Sequence, residues 1–392
     1  MKILTVCQYY HPEPFRIHEV CEELAARGHE VTVLTGLPNY PMGVIPEEYR
    51  GRKHRRETVN KVKVIRVKER PRKPGKAGLA MNYVSFVWHA GFTAFTMKKD
   101  FDVIFVYQLS PVLMAIPAYV AKWFSKTKKI MIYCLDLWPE SLTSLGISRE
   151  SLFFRFMRSV SIRIYKGAAA IGYTSRKFGD YFSGQLGLKD KKYMHIPQFA
   201  DELFSDIEAE TGDKETIDYV FAGNIGMMQS VETIVKAAAL ASDERIRWHI
   251  VGDGFALEAC KKLAEDMKTD KVIFYGRLPV EEMPKFYSMA DAMIVTLAGG
   301  MISYTLPGKI QSYMAAGKAV IAAADGETKT VIEESGCGLC APAGDEKALA
   351  ELADKMAAQN DFARMGENSR KYYNLHFTKK NHVDLIEKLL SE

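Results

Sequence analysis

Cysteine is sparse in this 392-residue chain: six residues (Cys7, Cys21, Cys134, Cys260, Cys337 and Cys340) spread over its length, with no secretory apolar segment ahead of them. That excludes a disulfide-stapled secreted scaffold and predicts a reduced, cytoplasmic setting, with strand-like residues from position 2 onward belonging to the fold. Neither GxGxxG nor GxxxxGK[ST] occurs, which disfavours a nicotinamide dehydrogenase and removes the P-loop nucleotide hydrolases. Long apolar runs are also missing. Ala77–Met97 has no Asp, Glu, Lys or Arg, but Asn82, Ser85, His89, Thr93 and Thr96 interrupt it, and Val103–Ala121 reads as a strand, a Ser110 cap, Pro111 and a helix. No membrane-spanning helix is expected.

What is present is ordinary globular material, 47% hydrophobic and 26% charged, in a length that predicts two domains. Short apolar runs alternate with amphipathic stretches, which predicts an α/β fold of two doubly wound, Rossmann-like domains. Strands are expected at Ile3–Tyr9, Glu30–Thr35, Val62–Val67, Val103–Tyr107, Ile130–Asp136, Ala168–Thr174 and Tyr193–Pro197, then at Tyr219–Gly223, Trp248–Gly252, Val272–Tyr275, Ala292–Leu297 and Ala319–Ala323. A first helix is expected over Phe15–Arg27, and later ones over Val231–Ala241, Ala256–Met267, Pro279–Ala290, Lys309–Ala316, Glu346–Gln359 and Lys379–Leu390. The polar stretch Asp201–Asp218 marks the boundary. The expected division is 1–200, 201–375, and a helix within 376–392 returning to the first domain. Such a pair leaves a cleft between the carboxyl edges of its sheets, where ligands bind.

The net charge of +5 hides an asymmetry: residues 1–200 hold 32 Lys and Arg against 16 Asp and Glu, and residues 201–392 hold 21 against 32. Much of the excess lies between Arg50 and Lys76, a basic patch suited to phosphates, anionic lipid or nucleic acid, or else a solvated loop. Tyr83, Phe86, Trp88, Phe92 and Phe95 follow closely. Residues 50–99 therefore offer a docking site for an anionic membrane surface, with core packing as the alternative fate of the aromatics. No nucleic-acid reading motif accompanies the patch, so no nucleic-acid partner is expected.

Three motifs carry chemistry. Val6–Arg16 is a strand, a tight loop and a helix start, where free N–H groups and Arg16 would attract an oxyanion or diphosphate. In the second half, Phe221-Ala222-Gly223-Asn224-Ile225-Gly226, Val251-Gly252-Asp253-Gly254 and Tyr275-Gly276-Arg277 end successive strands in glycine beside polar residues. Together they form one rim open to a ligand, with Arg277 placed for a phosphate or base edge. The strongest is Ser303–Ala322, in which Pro307-Gly308 sets a loop and Lys309 falls on a first helical turn. A cation is unfavourable there unless an anion is bound beside it. Cys337 and Cys340 read as strand packing, and Asp100 and Asp102 point to opposite strand faces, so no metal is expected.

The runs YYHPEPFRIHEVCEELAARGHEVTVLTGLPNYPMG, LDLWPES, FAGNIG, VGDG, GRLPVEEMPKFYSMADAMIV and LPGKIQSYMAAGKAVIA, in this order over nearly the whole chain, resemble the GT-B glycosyltransferases of family four. The resemblance is nearest to the bacterial branch that includes L-fucosamine transferases of O-antigen and capsule assembly. It implies retaining transfer of a sugar from a nucleotide donor, usually UDP-linked, to a lipid-linked (polyprenyl-diphosphate) or other glycan acceptor. The donor would sit mainly on the second domain, with no cofactor or metal. On this reading the donor contacts are Asn224, Gly226, Gly252, Asp253, Arg277, Pro307, Lys309 and Ser312, the diphosphate being held by Lys309, Arg277 and backbone N–H groups around Gly226 and Pro307, with Glu327 reaching a ribose or the sugar. Asp136, with Glu140, would orient or deprotonate the acceptor hydroxyl near Arg16. The protein would work in the cytoplasm, peripherally on the inner face of the cell membrane.

The pattern also departs from the family. Two glutamates eight apart in many relatives fall at Tyr304 and Ser312, an Arg and Lys pair falls at Asn224 and Gln229, and a histidine falls at Leu135. Two other readings remain at this point: a nucleotide-sugar epimerase on the same scaffold, which needs no acceptor, and a non-catalytic glycan-binding partner subunit.

Overall fold

Runs of β-branched and aromatic residues with no polar face, such as VIFVYQ and AVIAA, fit strands buried on both sides, and parallel sheets supply such sites. The computed structural model describes residues 1–51, 53–97, 100–125, 127, 129–205, 207, 215–300 and 304–392. Its strands are β1 (Lys2–Val6), β2 (Glu30–Thr35), β3 (Arg56–Val59), β4 (Val62–Arg66), β5 (Val103–Gln108), β6 (Ile130–Cys134), β7 (Ala170–Tyr173), β8 (Lys192–His195), β9 (Ile217–Ala222), β10 (Ile246–Val251), β11 (Val272–Gly276), β12 (Ala292–Thr296), β13 (Ala319–Ala323) and β14 (Gly338–Ala341). The helices are α1 (Ile17–Ala26), α2 (Gly75–Thr96), α3 (Ile116–Phe124), α4 (Leu152–Gly167), α5 (Arg176–Asp180), α6 (Val231–Leu240), α7 (Leu257–Asp266), α8 (Met283–Met289), α9 (Gly308–Ala315), α10 (Glu327–Ser335), α11 (Glu346–Gln359), α12 (Phe362–His376) and α13 (Lys379–Ser391).

The chain divides into two units, the first being Met1–Thr174, Phe178–Ile196 and Val383–Glu392, the second Ser175–Lys177 and Pro197–His382. The division falls ahead of the expected boundary stretch, of which Asp206 and Glu208–Lys214 lie outside the described residues. In the first unit an eight-stranded sheet runs β3-β4-β2-β1-β5-β6-β7-β8, parallel except for the edge pair β3 and β4. Here β3 was not expected, because RETV has no apolar alternation and buries little of itself. The last residues close this unit. Ile386 and Leu389 are fully buried, a Cβ on Gly172 of β7 would stand 3.0 Å from Leu389, and Arg27 pairs with Asp384 at 2.6 Å and Glu387 at 3.0 Å.

The second unit has a six-stranded parallel sheet, β11-β10-β9-β12-β13-β14. Alternate residues of β9 feed two cores: Ile217, Tyr219 and Phe221 join α6, α7 and α11 on one face, while Val220 and Ala222 join α8, α9 and α10 on the other. Both units are thus doubly wound α/β domains. The aromatics expected at a membrane divide: Phe86 is fully buried in the first unit, while Trp88 and Phe92 are 75% and 68% exposed.

Candidate active site

In the second sheet the strand order reverses beside β9, and open parallel sheets bind ligands at the carboxyl edge of such a point. Three chains meet there as glycines. At Gly252 (φ 149°) a Cβ would lie 1.8 Å from the Gly223 carbonyl oxygen, so no other residue allows β9 and β10 to end this close together. Backbone bonds from Gly223 to Val251 (2.9 Å), Gly252 to Gly276 (2.8 Å) and Ile225 to Asp253 (2.9 Å) tie the rim into one platform.

Lys309 reaches over this platform. It follows Gly308 at the start of α9, behind the cap Pro307. Its Nζ lies 3.7 Å from the centroid of the Phe221 ring and 3.0 Å from where a Gly223 Cβ would be. The ammonium is buried and meets no hydrogen-bond partner among the described residues. Burial without a counter-charge pulls its pKa down to about 7. The ring face offsets part of the desolvation cost, about 2 kcal/mol. Tyr313 fixes the helix that delivers this cation. Its hydroxyl accepts from the Ala222 N–H and donates to the Ala222 carbonyl, both at 3.2 Å, locking α9 to the end of β9. Sequence reasoning gave Tyr313 no role, although an aromatic hydroxyl placed one helical turn beyond Lys309 is the signal to look for.

Glu327 opens α10 and is 1% exposed. Its Oε1 accepts from Arg176 Nε at 2.8 Å, while Oε2 is buried with no partner among the described residues. Arg176, which also pairs with Glu334 at 2.9 Å, was not foreseen; its place in the second unit follows from folding and not from spacing. Asn224 and Gln229, which replace the family's basic pair, hold each other through Nδ2 and Oε1 at 3.2 Å. A Cβ on Gly226 would stand 2.7 Å from that Nδ2. Asp253 accepts from the Gly254 N–H at 2.7 Å, and the Ser312 hydroxyl lies 3.5 Å from the Gly308 carbonyl. Arg277 is exposed beyond β11. Ser303 lies outside the described residues.

The first unit gathers a different chemistry at its carboxyl edge. Asp136, past the end of β6, accepts from the Ser110 N–H at 3.0 Å, and burial raises its pKa against that bond. Trp138 Nε1 donates to the Ser110 hydroxyl at 2.9 Å. Two expected residues have partners of their own. Glu140 accepts from Arg149 at 2.9 Å and from the Tyr181 hydroxyl at 3.0 Å, which ties loops together. Arg16 pairs with Glu19 at 2.7 Å at the start of α1.

Sequence reasoning missed a buried polar cluster beside these groups. Gln8 donates to Glu69 at 2.7 Å and to Asn82 at 2.9 Å, and Asn82 donates to Glu69 at 2.5 Å. Glu13 accepts from the N–H groups of Asn39 (2.8 Å) and Tyr40 (2.7 Å). Burial pushes Glu69 up to about 8 and Glu13 up to about 7, with those donors pulling the other way. Their source segments follow β1, β2 and β4 or lie on α2, so no spacing reveals them. A carboxylate shortly after a buried strand is the one weak signal. Among the described residues no group of three or more His, Cys, Asp or Glu is placed to hold a metal ion.

Comparison with known proteins bears on both edges. Residues 204–372 match the family model of glycosyl transferases group 1, and residues 15–198 match the glycosyl transferase 4-like domain. The probable glycosyltransferase WbjE of Pseudomonas aeruginosa is 24% identical over 80% of this chain and 81% of that protein. The putative colanic acid biosynthesis glycosyl transferase WcaI of Escherichia coli K12 is 22% identical over 84% of each. Among solved structures, HepE of Anabaena in complex with UDP superposes with a TM-score of 0.72 at 15% identity, covering 100% of both chains.

Proposed function

We propose that this chain, a glycosyltransferase whose second half is a group 1 glycosyl transferase domain and whose first half is a glycosyl transferase 4-like domain, transfers a sugar from a UDP-sugar to a lipid-linked glycan. The acceptor lipid is a polyprenyl diphosphate, the pathway is cell-surface polysaccharide synthesis in the cytoplasm at the inner membrane face, and transfer retains the anomeric configuration. The observation that carries this is the buried Lys309 ammonium at the start of α9, without a hydrogen-bond partner among the described residues. The colanic acid role in WcaI's name and the UDP bound by HepE support the pathway and the donor.

In this reading the diphosphate lies between Lys309, the free N–H groups at the start of α9 and the glycine platform. As the bond between the anomeric carbon and the β-phosphate oxygen breaks, its electrons pass to the leaving UDP, and Lys309 and the helix dipole stabilise that charge. The acceptor hydroxyl oxygen bonds to the same carbon, and its proton passes to the departing phosphate. Asp136 orients that hydroxyl on the first unit. Glu327 holds the sugar or ribose through Oε2, with Arg176 fixing its other oxygen. An amino sugar of the L-fucosamine type is the first donor to try. The test is mass-spectrometric detection of product from a panel of UDP-sugars and a polyprenyl-diphosphate sugar. Lys309→Met should cut kcat/KM by about 100-fold to 1,000-fold and weaken UDP binding. Transfer at the parent rate by that variant would remove the proposed phosphate site.

A further inference from the structure

Strand β9 loses one neighbour before it ends. The N–H groups of Ile217 and Gly223 donate to the carbonyls of Arg245 and Val251 on the β10 side, and the Asp291 N–H, just ahead of β12, donates to the Asp218 carbonyl. Odd-numbered residues of β9 therefore turn their main-chain groups to β10 and even-numbered ones to β12. With β10 the register runs on to Ala222 opposite Val251, but with β12 it stops at Val220 opposite Met293. Strand β12 itself continues beside β13 as far as Thr296. The two strands thus part at the reversal of strand order, and the N–H and C=O of Ala222 face the gap.

Ala222 is 8% exposed, so both groups need a partner from the protein. The Tyr313 hydroxyl supplies it, accepting from the N–H and donating to the carbonyl at 3.2 Å each. A phenol has one proton and free lone pairs, so a single uncharged atom answers both groups. Its ring is fully buried and lies edge-on to Tyr287, 5.4 Å between centroids, which in turn stacks on Phe204 at 4.7 Å. Across the gap, the end of β12 is held by the loop that follows the glycine rim. The Thr296 hydroxyl donates to the Gln229 carbonyl at 2.6 Å, and the Ala298 N–H donates to the Met228 carbonyl at 2.9 Å. Tyr313 is the wedge between the strands.

Lys309 and Tyr313 are one helical turn apart and take hold of consecutive residues. The Lys309 Nζ stands 3.7 Å from the centroid of Phe221 and 3.0 Å from the Cβ position of Gly223, and the Tyr313 hydroxyl holds Ala222 between them. Where α9 sits along the strand end is therefore where the ammonium sits. We propose that Tyr313 is a positioning residue for the donor diphosphate: by keeping β9 and β12 apart and α9 pinned to Ala222, its hydroxyl sets the place of the Lys309 ammonium over the glycine platform. This rests on the reading of Lys309 as the diphosphate's partner and adds to it a residue that touches no ligand.

The experiment compares the full chain with Tyr313→Phe, Lys309→Met and the double variant, using UDP by calorimetry and uridine by ligand-observed NMR. Removing the hydroxyl should weaken UDP by about tenfold and uridine by less than about twofold, because only the diphosphate meets the ammonium. Added to Lys309→Met, the same change should weaken UDP by less than about twofold more, since the residue it acts through is gone. Urea unfolding of each variant reports the structural loss separately. Should Tyr313→Phe not fold, Tyr313→4-aminophenylalanine keeps the ring and a donor to the Ala222 carbonyl, and its UDP affinity should fall below the parent's with uridine unchanged. A Tyr313→Phe loss shared equally by UDP and uridine, or repeated in full on Lys309→Met, assigns the hydroxyl to folding alone and overturns the proposal. So does parent-like UDP binding by Tyr313→Phe. Parent-like UDP binding by Lys309→Met overturns the donor-site reading itself, and this proposal with it.

Discussion

The carboxyl edges of the two sheets solve opposite problems with opposite materials. In the first unit the edge is built from side chains that satisfy one another: Gln8, Glu69 and Asn82 interlock, and Glu13 is held by the N–H groups of Asn39 and Tyr40. In the second it is built from backbone, with glycines at 223, 252 and 276, and carries one ammonium without a hydrogen-bond partner among the described residues. A side-chain edge can be reshaped by substitution, whereas a backbone edge with a fixed cation suits one feature, an oxyanion such as a phosphate.

The largest effect that would break this contrast comes from adding one carbon on each side. Gly252→Ala drives a Cβ to 1.8 Å from the Gly223 backbone oxygen, whereas at Gly36 of the first unit the obstacles are the Glu69 carboxylate oxygen at 1.7 Å, the end of a buried side chain, and the Gln8 carbonyl oxygen at 2.9 Å. Gly252→Ala is expected to destabilise the second unit by about 3 kcal/mol and Gly36→Ala to cost less, as read from urea unfolding of each.

The next effect is the response to pH, where the units should move in opposite directions. Glu69 titrates at about 8 in the folded chain against 4.5 for an ordinary glutamate, so its contribution is fully present below pH 4.5 and is lost as pH rises through 8. Lys309 titrates at about 7 against 10.5, so its contribution is fully present above pH 10.5 and is lost as pH falls through 7. Raising pH from 6 to 9 should therefore weaken the first unit and strengthen the second. Pulse proteolysis in urea, read by mass spectrometry of peptides from each unit, follows both at once. Glu69→Gln should reduce the first trend, with Glu13 at about 7 carrying the remainder, and Lys309→Met should flatten the second, each leaving the other unit's trend unchanged.

The smallest effect concerns the closure of the first unit. Arg27 is 23% exposed beside Asp384 and Glu387, and Arg27→Ala should cost about 1 kcal/mol. That loss should appear in the urea midpoint of the first unit while the second stays where it was.

The elements legible in the sequence were those whose composition and burial agree. Glu30–Thr35, Ala319–Ala323 and Glu346–Gln359 have the bounds that periodicity predicts, because each run is decided by its own residues. Strand β3 and helix α12 were not read: the first is a polar edge that exists only because β4 lies beside it, and the second has Gly366 inside it, where a Cβ would stand 2.2 Å from the Gly317 carbonyl oxygen. The cation of the second edge was legible because α9 follows directly on its loop. The carboxylates of the first edge were not, since Glu13, Glu69 and Asn82 become neighbours through three separate crossovers of the sheet.

Residues 383–392 fill a gap in the side of a unit that otherwise ends at Ile196, with Leu389 against Gly172 and Glu392 2.6 Å from Lys192. During synthesis, then, the first half emerges with one flank missing and waits while the entire second unit is translated. Its hydrophobic wall stays open to chaperones or to misassociation throughout that interval. Only when the closing helix follows the second unit does the earlier-made domain become whole.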